Sequence, residues 1–208
     1  MAEIVDSPTG GTGLLAIFCD LDESDKTDFR PWLTEDMFPA RMAIGFDACA
    51  SFDLIAGTGQ ELLTLYEMPS LGHLYGEPYQ ALRRQRKPRD AAYHKKFRNP
   101  DRYTLAWTGP ELSGVHDGDS GLASLIRVDR FELSDDAIES FNISYVRDHL
   151  AASAELDEVI RVRRYLAMEG QPSHVVITDY RAMPKKPLET VLETASGQTG
   201  WYQRIVST

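Results

Sequence analysis

The sequence predicts an α+β protein made of two tandem βαββαβ repeats, whose sheets pack face to face in one pseudo-symmetric barrel. Two stretches, one starting at Gly13 and the other at Gly121, can be laid on each other. Both begin Gly-Leu and continue as an apolar strand, a polar turn, a long helix and a second strand. The segment 61–68 then corresponds to 173–183. A βαββαβ sheet has helices on only one face, so two such sheets can bury their bare faces against each other.

Apolar periodicity assigns the same order of elements to each half. In the first half, strands are predicted at 14–20, 45–55, 61–68 and 103–107, and helices at 27–43 and 71–84. In the second half, strands are predicted at 121–131, 157–167, 174–182 and 201–206, and helices at 134–152 and 186–196. Residues 1–12 are predicted to form a flexible tail before the two repeats, 13–110 and 121–208. The basic segment 85–102 has no counterpart in the second half and is interpreted as an insertion.

The long helix of the second half has the clearest local signals. Ser134 can cap it, and Asp135 and Asp136 lie in its first turn, where the helix dipole favours negative charge. Six side chains recur at three- and four-residue steps and form one apolar stripe: Ile138, Phe141, Tyr145, Val146, His149 and Leu150. The following stretches, EVIRVRRYL and VVITDY, are rich in β-branched and aromatic residues and are typical of strands.

Composition is that of a protein with a buried apolar core, since 42% of the 208 residues are hydrophobic. No apolar run approaches the roughly 18 residues of a membrane span. The N-terminal segment lacks a basic region followed by an apolar one, so we expect no signal peptide, no membrane partner and a cytoplasmic location. The two cysteines, Cys19 and Cys49, have no metal-type spacing and are expected to be buried thiols.

Charge is unevenly distributed along the chain. From Tyr79 to Arg102 there are nine basic and two acidic residues, so this segment carries +7 while the remainder carries −17. The acidic remainder repels nucleic acid, which is therefore not an expected partner, although Tyr93, His94 and Phe97 interleave with the basic residues. We expect the segment to be a lid that pairs with the acidic surface of its own chain or of a second subunit. The alternative is that the segment closes over an anionic substrate. The sequence is compatible with a homodimer but does not set the oligomeric state.

The segment DMFPARMAIGF (36–46) and its surroundings resemble EthD-like domains of the dimeric α+β barrel superfamily, here in a single-chain tandem form. Those domains commonly carry Trp-Tyr, Glu-His, Leu-Pro, an Arg and Gly-Phe in this order. The corresponding residues of the first half are Trp32-Leu33, Asp36-Met37, Phe38-Pro39, Arg41 and Gly45-Phe46. In the second half, Tyr145 and Asp148-His149 match the Tyr and the Glu-His, but no proline or Gly-Phe follows.

This resemblance implies ferredoxin-like repeats. Relatives of the fold include cofactor-free monooxygenases, polyketide cyclases and decarboxylases, lactone isomerases and haem-binding enzymes, and some EthD-like proteins are accessory proteins. The sequence itself contains no HExxH, Walker or GxSxG motif and no Cys/His cluster, so no metal or nucleotide cofactor is predicted.

His149 is the candidate catalytic residue. It lies on the apolar helix stripe at the position that the resemblance marks, one residue after an acid. A neutral imidazole there could take a proton from an acidic C–H bond or a phenol, since its usual pKa near 6.5 suits this role. The alternative is a histidine that packs between helix and sheet and makes one hydrogen bond.

Arg161, Arg163 and Asp179 are candidate substrate-binding residues on two neighbouring strands. An arginine that points inward needs a carboxylate or an anionic ligand. The two arginines therefore either form a cross-sheet ion pair with Asp179 or hold a substrate carboxylate. Further candidates are amphipathic or polarizable side chains expected at the pocket wall: Tyr66, Tyr145, Met37 and Trp107.

The leading functional hypothesis is an enzyme that acts on a hydrophobic aromatic or polyketide-like acid. Its reaction would be proton transfer, decarboxylation, cyclisation or cofactor-free oxygenation, which makes it a lyase, an isomerase or a cofactor-independent monooxygenase. One alternative is a non-catalytic accessory or ligand-binding protein of a catabolic or biosynthetic pathway. A second alternative is a haem-binding barrel enzyme with His149 or His73 as the ligand.

Overall fold

In a computed structural model, the described residues are 2–114, 122–185 and 197–208. Their strands are β1 Glu3–Val5, β2 Gly13–Asp20, β3 Ala48–Gly57, β4 Leu62–Met68, β5 Arg98–Trp107, β6 Glu111–Ser113, β7 Leu125–Phe131, β8 Val159–Glu169, β9 His174–Tyr180 and β10 Gly197–Ser207. Their α-helices are α1 Glu23–Lys26, α2 Phe29–Trp32, α3 Phe38–Met42, α4 Gly72–Tyr75, α5 Glu77–Arg84, α6 Pro88–Tyr93, α7 Ile138–Ser144 and α8 Ala151–Ala154. Two π-helical turns, Leu33–Met37 and Tyr145–Leu150, interrupt the long helices.

Eight of the strands form a closed antiparallel barrel. Their order is β8-β5-β2-β4-β3-β10-β7-β9, and β9 pairs with β8 to close the ring. The first half (β2 to β5) and the second half (β7 to β10) have the same internal strand order, and they join through β3–β10 and β5–β8 pairing. This confirms an α+β fold with a closed barrel, while descent of the halves from one duplicated unit stays a prediction.

Apolar side chains form three clusters that follow the strand alternation. The barrel interior receives residues from all eight barrel strands, for example Leu63 and Leu65 of β4. The opposite face of the first half packs against α2 to α6, and Tyr66 of β4 lies there. The opposite face of the second half packs against α7, the second π turn and α8. Each helix layer therefore covers its own half of the barrel.

The predicted helix 27–43 differs from the observed structure because it contains a π turn. Pro39 has no N–H to donate to the carbonyl of Glu35, and the N–H of Phe38 bonds instead to the carbonyl of Leu33, five residues earlier. The helix then ends before Gly45, whose positive φ of 91° is strained for other residues. The Gly-Phe corner thus does lead into β3, which begins at Ala48 rather than at residue 45.

Several other predicted boundaries also shift. The predicted helix 71–84 is split at Gly76, whose backbone is extended before α5. The second long helix begins at Ile138, because 134–137 form a turn in which Ala137 N–H bonds to the Ser134 carbonyl. Part of the predicted tail, Glu3–Val5, pairs with β6. The predicted helix 186–196 lies outside the described residues.

Both cysteines are buried free thiols, as predicted, and burial raises the pKa of each to about 12. Among the described residues, no helix is both long and apolar enough to cross a membrane.

Candidate functional site

A cavity of about 210 Å³ lies between the first half of the barrel and its helix layer, and we call it the first-half cavity. Its apolar wall is formed by Leu15, Ile17, Cys19, Leu33, Met37 and Phe97. Its polar lining comprises Thr64, Tyr66, Tyr79, His94, Arg41, Arg83, Arg86 and Arg102. The cavity is therefore apolar in its walls and strongly cationic.

Local structure explains how the chain brings these groups together. Alternate residues of β2 and β4 point to the same face, which places Leu15, Ile17 and Tyr66 on the cavity side of the sheet. On the first long helix, Leu33, Met37 and Arg41 recur every four residues and face this side of the sheet. The helix corner singled out by the sequence motif is thus a wall of the cavity.

Arg41 is the most informative of the cavity residues. Its exposed fraction is only 7%, and its Nε is buried without a hydrogen-bond partner. Within the described part of the chain it makes no ion pair, and its guanidinium carbon lies 5.9 Å from the centre of the Tyr66 ring. A buried guanidinium that makes no hydrogen bond or ion pair within the protein favours an anionic ligand.

Other hydrogen-bond donors of the cavity also favour an anionic ligand. The indole Nε1 of Trp32, a further cavity residue, is buried and has no acceptor among the described residues. Arg83 and Arg86 are exposed and make no hydrogen bond or ion pair within those residues, whereas Arg102 pairs with Glu169. Burial raises the pKa of the Tyr66 phenol above its usual value, although the charge of Arg41 opposes this, so Tyr66 keeps its proton. The cavity therefore offers mainly hydrogen-bond donors.

The basic segment covers the cavity and is tied to the acidic helix layer of its own chain. Arg89 of α6 contacts Asp28 at 2.7 Å, Glu35 at 2.8 Å and Asp36 at 3.0 Å. Lys87 adds a 3.1 Å contact with Asp36. The basic segment thus pairs with the acidic surface of its own chain, and its role as a lid stays a prediction. Hydrogen bonds from Lys87 and Arg89 hold the pKa of Asp36 below its usual range despite some burial.

Asp90 of α6 and His94, the residue that follows this helix, form a pair beside the cavity. His94 Nε2 lies 3.2 Å from Asp90 Oδ1, an ion-pair distance at an angle poor for a hydrogen bond. Burial raises the pKa of the Asp90 carboxyl, but His94, Arg41 and Arg86 outweigh it and hold this pKa below its usual value. Asp90 is therefore a buried carboxylate at neutral pH.

The predicted site residues fall into separate places. Met37 and Tyr66 line the first-half cavity. Trp107 lies outside it, where its Nε1 donates a 2.9 Å hydrogen bond to Glu111. Tyr145 and His149 lie in the helix layer of the second half.

Arg161, Arg163 and Asp179 are together, but in a buried ion-pair network that also includes Glu67. Arg161 Nε donates to Asp179 Oδ2 at 2.8 Å, and Arg163 Nη2 donates to the same carboxylate at 3.1 and 3.2 Å. Glu67, from the other half of the barrel, accepts a hydrogen bond from Arg163. The ion-pair alternative therefore describes these residues, and both arginines are held by protein carboxylates.

His149 is buried, with an exposed fraction of 4%, and neither ring nitrogen has a hydrogen-bond partner among the described residues. Its ring stacks on Tyr145, with centroids 5.4 Å apart. Burial, with the charge of Arg127 adding to it, lowers the pKa of His149 to about 4, so the ring is neutral at physiological pH. It does not line the first-half cavity, and its catalytic role stays a prediction.

Sequence reasoning missed His94, Asp90, Arg83 and Arg86 as site residues. The signal that could have found them is the aromatic and imidazole side chains interleaved with the basic segment. For haem, neither predicted ligand lines the cavity: His73 Nε2 lies 2.7 Å from the Ile44 carbonyl oxygen, and His149 is in the other half. These two histidines therefore do not support a haem site in the cavity.

The comparisons with known proteins concern the fold. No protein-family model matches the chain, and no curated protein matches it. An anthrone oxidase-like protein matches with a TM-score of 0.64 at 8% identity, covering 99% of this chain and 96% of that one. A provisionally named monooxygenase from Lactobacillus acidophilus matches with a TM-score of 0.60 at 13% identity, covering 95% and 96%.

A third solved structure is similar to this chain along most of its length. It is an uncharacterised ferredoxin-fold protein from Listeria monocytogenes, related to antibiotic biosynthesis monooxygenases, with a TM-score of 0.52 at 13% identity, covering 93% and 95%. The chain has the ferredoxin-like barrel fold. None of these three proteins is named as EthD-like, so that finer assignment stays a prediction.

Proposed function

We propose that this protein is a small-molecule enzyme of the oxygenase type that takes a hydrophobic aromatic acid into the first-half cavity. The acid is a carboxylic acid, a phenol or a ketone with acidic C–H bonds, and the cavity stabilises its anion. The observation that carries this proposal is the buried guanidinium of Arg41, which lines an apolar cavity and makes no hydrogen bond or ion pair within the described residues.

The cavity's chemistry suits an electron-rich anion. Arg41 can hold its negative charge, and the Trp32 indole and Tyr66 phenol can donate hydrogen bonds to its oxygen atoms. The apolar wall keeps water from the charged atoms, which strengthens these interactions. Decarboxylation or cyclisation of such an anion would use the same stabilisation.

Oxygenation is preferred among these reactions because of the solved structures with this fold, which include proteins named for monooxygenases and for anthrone oxidase. The fold alone does not fix the reaction. For an anthrone-type substrate, one oxygen atom of O2 replaces the two hydrogens of the ring methylene, and the other oxygen leaves as water. The methylene carbon loses four electrons and O2 gains four, so no further reductant is needed.

The binding experiment uses two fluorescent probes of the same shape, anthracene carboxylate and neutral anthracene methanol. We expect the wild-type protein to bind the carboxylate more tightly than the alcohol. Arg41→Met should weaken carboxylate binding at least about tenfold, and it should leave alcohol binding nearly unchanged. Arg147→Met is the matched control, since Arg147 is exposed and pairs with Asp148 outside the cavity. Equal affinities for both probes, or no effect of Arg41→Met, would refute the anion site.

Non-catalytic ligand binding is the second candidate function. It is favoured by the position of His149, the predicted catalytic residue, which does not line the cavity. Oxygen consumption with dithranol, a dihydroxyanthrone, separates the two candidates. Uptake of O2 with formation of the quinone, lost in Arg41→Met, supports the enzyme. Tight binding of the carboxylate probe without any turnover supports the binding protein.

A further inference from the structure

We infer that His94, oriented by Asp90, is the group that accepts the substrate's proton in the first-half cavity. This inference rests on the proposed function and assigns its catalytic base. His94 is the catalytic residue in this arrangement, and Asp90 is a positioning residue.

The placement of the pair follows from local structure. Asp90 and His94 are four residues apart, so their side chains lie on the same side of α6 and its final turn. The carboxylate is buried, whereas the imidazole ring lines the cavity. A base held by a buried carboxylate is the arrangement that fixes an imidazole's tautomer and orientation in general-base catalysis. In structures without substrate, such contacts are often poorly aligned and tighten in the complex.

Aromatic packing also fixes the ring. His94 packs against Trp32 in a T-shaped arrangement, with centroids 6.2 Å apart and an interplanar angle of 86°. It contacts Phe97 similarly, at 5.5 Å and 80°. These contacts hold the imidazole ring in place, and His94 and Arg41 both line the cavity.

The chemistry is a proton transfer followed by reaction with O2. The C–H or O–H bond of the substrate breaks, its proton goes to the free imidazole nitrogen, and the electron pair stays on the substrate as an enolate or phenolate. Arg41 holds the resulting negative charge. With an anthrone-type methylene, the enolate then reduces O2, and the two methylene hydrogens end in water as the new carbonyl forms.

Hydrogen exchange at the acidic methylene of dithranol, followed by NMR in D2O without oxygen, isolates the proton transfer from the oxidation. The wild-type protein should accelerate this exchange. His94→Ala should lower the acceleration by about 10²- to 10⁴-fold, and added imidazole should restore part of it. Binding of anthracene carboxylate should change less than about threefold. Asp90→Asn should lower the exchange rate less than His94→Ala and shift its pH profile.

Groups that bear on this pH profile lie on several elements around the pair. Arg41 and Arg86 act on the Asp90 carboxylate, and the cavity lining adds Arg83, Arg102, Cys19, Tyr66 and Tyr79. Burial keeps Cys19 and Tyr66 protonated at neutral pH, so they do not compete with His94.

His149→Gln is the rival variant and His174→Gln the control, since both histidines lie in the second half of the chain. The inference would be overturned if His94→Ala left the exchange rate of dithranol unchanged. It would also be overturned if His149→Gln lost the exchange while His94→Ala kept it. If His94→Ala exchanges normally while Arg41→Met loses carboxylate binding, the inference fails and the proposed function stands. If Arg41→Met binds anthracene carboxylate as tightly as the wild type does, the proposed function itself fails.

Discussion

Replacing His149 with phenylalanine should remove a pH-dependent loss of stability. The pKa of this buried imidazole is lowered to about 4 in the folded protein, against about 6.5 when unfolded. Between these two values the unfolded chain binds more protons, so the free energy of unfolding falls as the pH decreases. At about 1.4 kcal/mol for each pKa unit, the loss approaches roughly 3 kcal/mol by pH 4.

The measurement is urea unfolding of the wild type and of His149→Phe, at several pH values from neutral down to about the folded pKa of 4. Phenylalanine keeps a ring to stack on Tyr145 but has no proton to gain. Carboxylates titrate in both proteins, so the difference between the two stability curves isolates His149. The wild type should lose stability relative to the variant as the pH falls through this window.

His174→Phe gives a graded control, because His174 is only half-buried and burial lowers its pKa as well. Its effect should have the same sign and be smaller. Parallel stability curves for the wild type and His149→Phe would show that the imidazole is not buried in its neutral form, and the reasoning from burial would be refuted.

Asp179→Asn should lower the free energy of unfolding in urea by about 3–5 kcal/mol, because it leaves two buried arginines without their main carboxylate; a change below about 1 kcal/mol would contradict this. Arg89→Ala should leave the free energy of unfolding nearly unchanged, since its ion pairs are partly exposed. It should nevertheless speed amide hydrogen exchange in α6, and unchanged exchange would show that these pairs do not hold the lid. Gly57→Ala should lower the thermal midpoint, because φ is +91° and a Cβ would lie 2.2 Å from the Thr199 carbonyl oxygen; an unchanged midpoint would contradict this. Arg41→Met should raise the free energy of unfolding by about 1 kcal/mol or more, and a loss of stability would show that the guanidinium already has a partner.

The barrel was predictable because apolar periodicity repeats along the chain in the same order of strands and helices in each half. Boundaries were less predictable where one residue alters the hydrogen bonding. Pro39 favours a bend in a helix, but the sequence does not say that the neighbouring bonds become π-helical. Ser134 has the side chain of a helix cap, yet the local turn delays the helix to Ile138.

The site was only half predictable from the sequence. Met37 and Tyr66 were expected at a pocket wall, and both line the cavity. The chemistry was assigned to the second half because His149 is the histidine that matches the motif, whereas the first half has Met37 at that position. In the first half, the imidazole that lines the cavity belongs to His94, the residue that follows α6. A contact between elements so far apart in the sequence leaves no periodic signal, so only the folded arrangement brings them together.

Formation of the whole barrel by one chain has an evolutionary consequence. In a barrel assembled from two identical subunits, every substitution occurs twice, so a change that opens a pocket in one helix layer also alters the other. Here β3 pairs with β10 and β5 with β8 inside one polypeptide, and each helix layer is encoded separately. The first layer can therefore acquire arginines and a lid while the second keeps the packing that stabilises the molecule, so selection can act on ligand recognition and on folding through different residues.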